Sequence, residues 1–154
     1  MPVKLQTPLS EFDMSIDQFA KEAQQAIIDT LIYVGESCIT EARDNGNYID
    51  QTGNLRSSIG YCVVKDGRIV RKNVVSETKG GKPATSQGNS MAEAHLSRLA
   101  SEHSTGICMI VVAGMNYAVY VESRGKNVLS SSELLAERLV PQMLGQLGFI
   151  VRKQ

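Results

Sequence analysis

From Ser15 to Asn45 the apolar residues Phe19, Ala23, Ile27, Leu31, Val34, Cys38 and Ala42 recur at steps of four, four, four, three, four and four. That spacing keeps all of them on one face of an α-helix. Ser15 with Gln18 has the form of a capping box, and Asn45-Gly46 supplies a stop where a left-handed residue is tolerated. A helix over residues 15–45 would be about 45 Å long. The chain has 154 residues, enough for one domain whose diameter would be roughly 30 Å. The rod therefore outruns its own domain. A second stripe of Ile28, Ile32 and Ile39 lies beside the first, so the helix is apolar over more than one narrow face. Part of it is expected to meet another copy.

The next segment, "TGNLRSSIGYCVVKDGRIV" from Thr52, turns from polar to alternating. Ile59, Tyr61 and Val63 fall on one side, Asp66-Gly67 is a favoured two-residue turn, and a basic return strand follows, giving a β-hairpin over residues 57–75. Residues 76–90, "SETKGGKPATSQGNS", are almost free of apolar side chains and predict a long mobile loop. Residues 91–103 suit a short helix with Ala92, Leu96 and Leu99 inward. Residues 106–114 are apolar at every position between two glycines, as a central strand covered on both faces would be. "NYAVYVES" from Asn116 fits either a strand or two turns of helix. A last helix over residues 130–147 opens on a second capping box, Ser130 with Glu133, and Pro141 should bend or restart it. This order predicts a single α+β domain, with the long N-terminal helix and the C-terminal helix packed on a small, mostly antiparallel sheet.

Charge is balanced overall, with 16 basic and 16 acidic residues, which argues against a surface uniformly attractive to nucleic acid or to an anionic membrane. Its distribution is uneven. Residues 1–50 hold nine acids against Lys4, Lys21 and Arg43, whereas residues 51–90 hold Arg56, Lys65, Arg68, Arg71, Lys72, Lys79 and Lys82 against Asp66 and Glu77. Such a dipole along the chain either gives two solvated faces or lets copies attract head to tail. Cys38, Cys62 and Cys108 are widely spaced among apolar neighbours, without a CxxC pair, and read as buried thiols of a reducing compartment. No apolar run is long enough for a membrane span and no basic-then-apolar leader opens the chain. A soluble protein that stays in the cell making it is expected.

Little in the sequence asks for catalysis. A phosphate-gripping reading of "TGNLRSS" lacks the Gly-Lys-Ser/Thr ending, and strand period follows it. The segment reads as a turn, with Arg56 at the strand entrance available to a partner. His95 and His103 lie eight apart without an HExxH pattern, no GxSxG elbow is present, and no cysteine has a histidine nearby. Neither a metal nor a cofactor is expected. The basic strand from Arg68 to Lys82 contains no aromatic residue for base stacking, although phosphate contact without sequence preference needs only charge. A charged edge strand that resists unwanted pairing explains the same residues. Tyr117, Tyr120 and Glu122 offer interface anchors, or core-boundary residues in the case of the tyrosines.

Two stretches together carry a resemblance: "TGNLRSSIGYCVVKDGRIV" and "GMNYAVYVESRGKNVL", followed by a terminal helix. They resemble the tail-completion or head-tail joining proteins of long-tailed bacteriophages, also labelled neck or minor tail components. The family pattern is a long first helix, a Thr-Gly-x-Leu-Arg/Lys-x-Ser entry into a hairpin, and Tyr-Ala-x-Tyr-Val-Glu before the last helix. Its positions here are Thr52, Gly53, Leu55, Arg56 and Ser58, then Tyr117, Ala118, Tyr120, Val121 and Glu122. The chain departs from the pattern after Glu122, where Ser123-Arg124-Gly125 and "KNVLSS" replace an early Gly and a Pro-Phe-Leu entry. The segment 76–105 has no counterpart. The resemblance implies a non-enzymatic virion subunit that forms a ring between tail tube and neck, is made in the host cytoplasm, contacts neck, connector and tail-tube proteins, and turns basic residues toward DNA in the lumen. The competing expectation is a small nucleic-acid-associated module that binds a duplex through the basic hairpin.

Overall fold

The computed structural model describes residues 9–149, with side chains from Ser15 onward. The elements in order are α1 (Leu9–Asn45), α2 (Asn54–Ser57), β1 (Ile59–Lys65), β2 (Arg68–Val74), α3 (Ser86–Glu102), β3 (Ile107–Ala113), α4 (Ala118–Ser123) and α5 (Ser130–Gln146). This is the expected α+β architecture. The three strands form an antiparallel sheet in the order β2-β1-β3.

β1 is the middle strand, and both of its faces are buried. Ile59, Tyr61 and Val63 pack against Ile28, Leu31 and Ile39 of α1, while Cys62 and Val64 pack against Ala92, Leu96 and Ala100 of α3. The molecule is thus three layers, α1 with α5 on one side of the sheet and α3 on the other. The sequence expectation had made 106–114 the central strand, and here the structure differs. β3 is covered on both faces, Met109 and Val111 toward α1 and Cys108 and Ile110 toward α3, yet it is an edge. Continuous apolarity reports how many faces are covered, whereas position in the sheet is set by pairing.

The hairpin forms as expected. Asp66 and Gly67 both have positive φ, 51° and 82°, as a tight two-residue turn of the primed type requires. Asp66 also donates its N–H to Gly106 O and accepts from Gly106 N, both at 2.9 Å, so the hairpin tip is clamped to the start of β3. A bulge between Val63 and Val64 leaves Val70 as an extra, half-exposed residue on β2. That bulge and the exposed Arg68, Arg71 and Lys72 blunt this edge of the sheet.

Several boundaries move for identifiable reasons. α1 begins by Leu9, so Ser15 lies inside the helix and the Ser15–Gln18 pair does not cap its start. Its end at Asn45 is as expected, without a positive φ at Asn45 or Gly46. α3 begins at Ser86, five residues before the expected start, because Thr85 accepts from Gly88 N at 3.1 Å and caps a polar first turn. The remaining segment, 76–85, closes on itself through the Glu77–Pro83 bridge and a Thr78 N–H donated to Lys82 O at 2.7 Å, with Thr78 buried. It is a hydrogen-bonded turn rather than a long open loop. α5 continues through Pro141 as one element, neither ended nor restarted there.

The stripes of α1 are used inside the domain as far as Ile27: Ile28, Leu31, Val34, Cys38, Ile39 and Ala42 are buried and Ile27 and Ile32 half-buried. The second stripe is therefore consumed by the core. α1 has 37 residues, about 55 Å, and all of residues 15–22 are exposed.

α1 crosses β1 closely at Gly35, where an added Cβ would lie 2.2 Å from Cδ2 of Tyr61. Alanine in a helix interior is favoured over glycine by about 1 kcal/mol, but overpacking a filled core costs about 1–3 kcal/mol. The Tyr61 ring has no easy retreat, because its hydroxyl is held by Glu36 at 2.8 Å. Gly35→Ala is expected to lower the melting temperature by several degrees in a thermal scan. A variant as stable as the parent would contradict the close crossing.

Candidate functional site

The "TGNLRSS" segment is a hub of internal hydrogen bonds. Asn54–Ser57 forms one helical turn, and the carboxylate of Asp50 accepts from Arg56 N at 2.8 Å and Leu55 N at 3.4 Å. The amides that a phosphate would need are thus taken by the chain's own acid. Ser57 accepts from Thr85 N at 2.9 Å, Asn54 accepts from the Thr85 hydroxyl at 2.7 Å, and Ser58 accepts from Met115 N at 3.3 Å. These bonds tie the start of β1 to the start of α3 and to the exit of β3.

Arg56 was expected to be available to a partner, and the structure buries it. Its relative exposure is 9%, its guanidinium donates to Gly46 O and Tyr48 O at 3.0 Å each, and it lies 4.4 Å from the centre of the Tyr48 ring. A fork of donors in one plane suits two carbonyls and a ring face at once. Arg56 fixes the path of the chain leaving α1.

Glu122 likewise turns inward. Its carboxylate accepts from the backbone N–H of Val128 (3.1 Å), Leu129 (2.9 Å) and Ser130 (2.9 Å), and from the Ser130 hydroxyl. Asn127 completes the cap, accepting from Ser131 N at 3.1 Å and donating to Asn45 O at 3.0 Å. The expected Ser130–Glu133 box is not what opens α5. Glu122 does so from outside the helix, and an acid at a helix N-terminus also meets the dipole favourably.

"NYAVYVES" resolves as α4, with Ala118 buried and Tyr117 and Tyr120 exposed, Tyr120 at 59%. Neither tyrosine is core. Arg124 lies over the Tyr120 ring, 4.8 Å from its centre, and donates to its hydroxyl. Val119 is exposed between them, so α4 shows an aromatic and aliphatic surface. Arg68, Arg71, Lys72, Lys79 and Lys82 are all exposed. Lys79 sits apart from the strand cations, its Nζ 3.4 Å from Gly46 O at the end of α1. The structure thus keeps the strand cations, loop cations and tyrosines at the surface, buries Arg56 and commits the half-buried Glu122 to the start of α5.

The three cysteines are suppressed as nucleophiles, and two of the acids in an open cleft on α1 already have partners. Cys38 and Cys62 are buried and Cys108 half-buried, all as free thiols; burial pushes each of them up, Cys62 to about 11. They are protonated near neutrality and poor nucleophiles. An acid-lined cleft of about 330 Å³ runs along the outer side of α1, with Tyr33, Glu36, Glu41 and Asp44. Within it, Glu36 accepts from Tyr61 and Asn73, and a hydrogen bond from Arg43 at 2.8 Å holds Asp44 below the usual carboxylate range. Among the described residues no group of three or more His, Cys, Asp and Glu side chains is arranged to hold a metal ion, and no helix is long and apolar enough to cross a membrane.

The sequence predicts that the rod outruns its own domain, but not where along α1 the core stops. Ile16 and Phe19 are 50% and 73% exposed, although Phe19 shares the periodic face that Leu31, Val34 and Cys38 bury. Its signal was the glutamine- and acid-rich composition around it, "SIDQFAKEAQQ", which offers no second apolar face for packing.

Glu122 carries a pH dependence whose sign is fixed. Burial raises its pKa, but the bonds from Ser130, Leu129 and Val128 outweigh that and leave it below the ordinary 4.5. A carboxylate depressed in the folded state contributes stability that is fully present above the unfolded value and is lost as pH falls through the folded value. Glu122→Gln is expected to destabilise by about 1–3 kcal/mol at pH 7 and to converge with the parent as pH drops below 4.5. Urea unfolding at neutral and acid pH reads both. A difference independent of pH would remove the charged cap.

Comparison with protein-family models, with characterised proteins and with solved structures found no match to this chain.

Proposed function

We propose that this chain is a non-enzymatic structural subunit of a phage or prophage virion, a ring-forming tail-completion or head-tail joining protein. The observation that carries this reading is the end of α1, which leaves the domain with Ile16 and Phe19 exposed. Large apolar side chains on a projecting rod are the property of a surface that is covered in an assembly. The resemblance in "TGNLRSS" and "NYAVYVES" supplies the kind of assembly. It agrees with a domain in which those motifs hold the fold together instead of lining a reaction centre. Head-to-tail association of identical subunits needs two different, mutually complementary surfaces. The acidic α1 and the basic β2 edge offer such a pair.

A second reading rests on the exposure of Arg68, Arg71, Lys72, Lys79 and Lys82. Those cations suit DNA phosphates in the lumen of a ring, and equally suit a free-standing module that binds a duplex. Binding of that kind weakens steeply with salt.

Negative-stain images and sedimentation of concentrated protein separate the two. The ring reading expects closed annular particles, and a monomer that persists with neck and tail proteins present would overturn it. Salt-sensitive retardation of DNA by a monomer would favour the module. Neutralising the five cations together is expected to reduce assembly or genome retention, measured by infectivity of complemented particles. Unchanged titres would remove the charge argument.

A further inference from the structure

We propose that the projecting end of α1 docks on the outer edge of β2 in a second copy of this chain, each subunit giving its rod to one neighbour and its basic ribbon to the other. The proposal rests on the ring reading above and names the surfaces that would close it.

The rod has an apolar centre and acidic flanks. Ile16, Phe19, Ala20 and Ala23 continue, at the same helical spacing, the stripe that Ile27, Leu31 and Val34 bury in the core. The sheet covers that stripe only as far as Ile27, and the three turns before it are left to other contacts. The end of α5 reaches this region but leaves an open cleft of about 390 Å³ among Phe19, Ala23, Ala26, Leu147 and Phe149, with Glu22 at its rim. Leu147 is itself exposed. By helical geometry Glu22 and Asp29 lie along one side of the stripe and Asp17 along the other, with Lys21 the one cation between residues 15 and 30. Gln18 and Gln25 donate to Glu22 and Asp29 at 3.0 and 2.8 Å, which orients both carboxylates along the rod.

The edge of β2 is the inverse. The bulge sets Val70 out of the ladder as an exposed apolar residue, with Arg68, Arg71 and Lys72 exposed around it. Apolar centre then meets apolar centre and acid meets base. Like-with-like contacts fail on charge: two rods would bring Asp17, Glu22 and Asp29 against their own copies, and two β2 edges would oppose arginines and lysine. The chain cannot satisfy the match internally, because α1 is one continuous helix and its exposed turns cannot fold back onto the sheet that its later turns cover. The β2 edge that matches the rod therefore belongs to another molecule, and the contact joins two different surfaces, the kind that propagates around a ring. Residues 150–154, which follow Phe149 beside the cleft and carry Arg152 and Lys153, are the competing occupant.

Charge reversal tests the pairing. Two variants of the full chain, Asp17→Lys/Glu22→Lys and Arg68→Glu/Lys72→Glu, alter exposed residues away from the Tyr61–Glu36 contact and should keep the parent's circular dichroism and melting temperature. Sedimentation velocity at low salt is expected to show each variant alone dissociated, with at least a tenfold rise in the concentration for half-assembly. Mixing the two variants, or combining all four changes in one chain, is expected to restore assembly, since reversed rods then meet reversed edges. Assembly that neither reversal disturbs, or a loss that neither the mixture nor the combined chain repairs, would overturn the pairing. Indifference to both reversals together with a loss on deleting residues 150–154 would assign the cleft to that segment and would also overturn it. A parent protein that is monomeric at every concentration defeats the ring reading itself, whereas a ring-forming parent insensitive to both reversals leaves that reading standing and defeats only this interface.

Discussion

Burial of β1 on both faces is the constraint on which the other elements depend. A strand enclosed this way has no spare side for solvent, so each of its neighbours must be held in place on every side. β2 is attached by the tight turn at Asp66-Gly67, β3 by the ladder and the Asp66–Gly106 clamp, α1 by the close crossing at Gly35, and α3 by Leu96 and Ala92 over Cys62 and Val64. The polar residues just before β1 then do what the strand cannot. Through Asn54, Ser57 and Ser58 they pin the first turn of α3 and the exit of β3 to the strand's own entrance. Because these bonds join segments far apart in the chain, the hub is more than a turn between two elements.

That distribution explains which parts of the molecule were legible in the sequence. The long helix, the hairpin and the last helix carry periodicities of 3.6 or 2 that survive tertiary packing, and their order gave the α+β class. The centre of the sheet was misassigned because β1 contains Gly60 and Cys62, small residues that hide its second apolar face, while β3 spells out both faces in large side chains. The start of α3 was hidden because its first turn, "SQGNS", is polar and is set by a cap from Thr85 and by contact with the hub. No local pattern carries that information.

The candidate residues divide for a related reason. Arg56 and Glu122 sit in motifs whose polarity suggested exposure, and both are spent within the chain: Arg56, buried, satisfies backbone carbonyls, and Glu122, half-buried, satisfies backbone amides. A single charged residue in a loop does not announce whether water or the backbone solvates it, since its partners, Gly46 and Tyr48 for Arg56, come from a neighbouring segment whose path is known only after folding. Runs are more readable. Arg68, Arg71 and Lys72 crowd one short strand, and no small domain buries three cations there without acids to match. Phe19 failed in the opposite direction, because periodicity says which face a residue shares and not how far along the helix the core extends.

A projecting helix is useful in an assembly only if its base is rigid, since a ring closes at a set angle. Here α1 is held on one face by the sheet and along its flank by α5, and the two helices are locked by a reciprocal pair: the Ser132 hydroxyl donates to Cys38 O at 2.7 Å and the Cys38 thiol to Ser132 O at 3.5 Å. α5 in turn owes its start to Glu122 and Asn127, the latter reaching back to Asn45 O and Asn47 Oδ1 at the end of α1. The two helices therefore share one set of polar fastenings near the C-terminal end of α1, while the free end lies over 30 Å away along the rod. Beyond Ile27, the last position that the sheet covers, the rod runs about 12 Å further to Phe19, so a tilt of α1 on its supports is carried to the exposed residues. This is a physical reason for the Tyr-Val-Glu motif to matter to a proposed ring without its glutamate touching a neighbour: it fixes where α5 starts, and α5 is one of the two supports of α1.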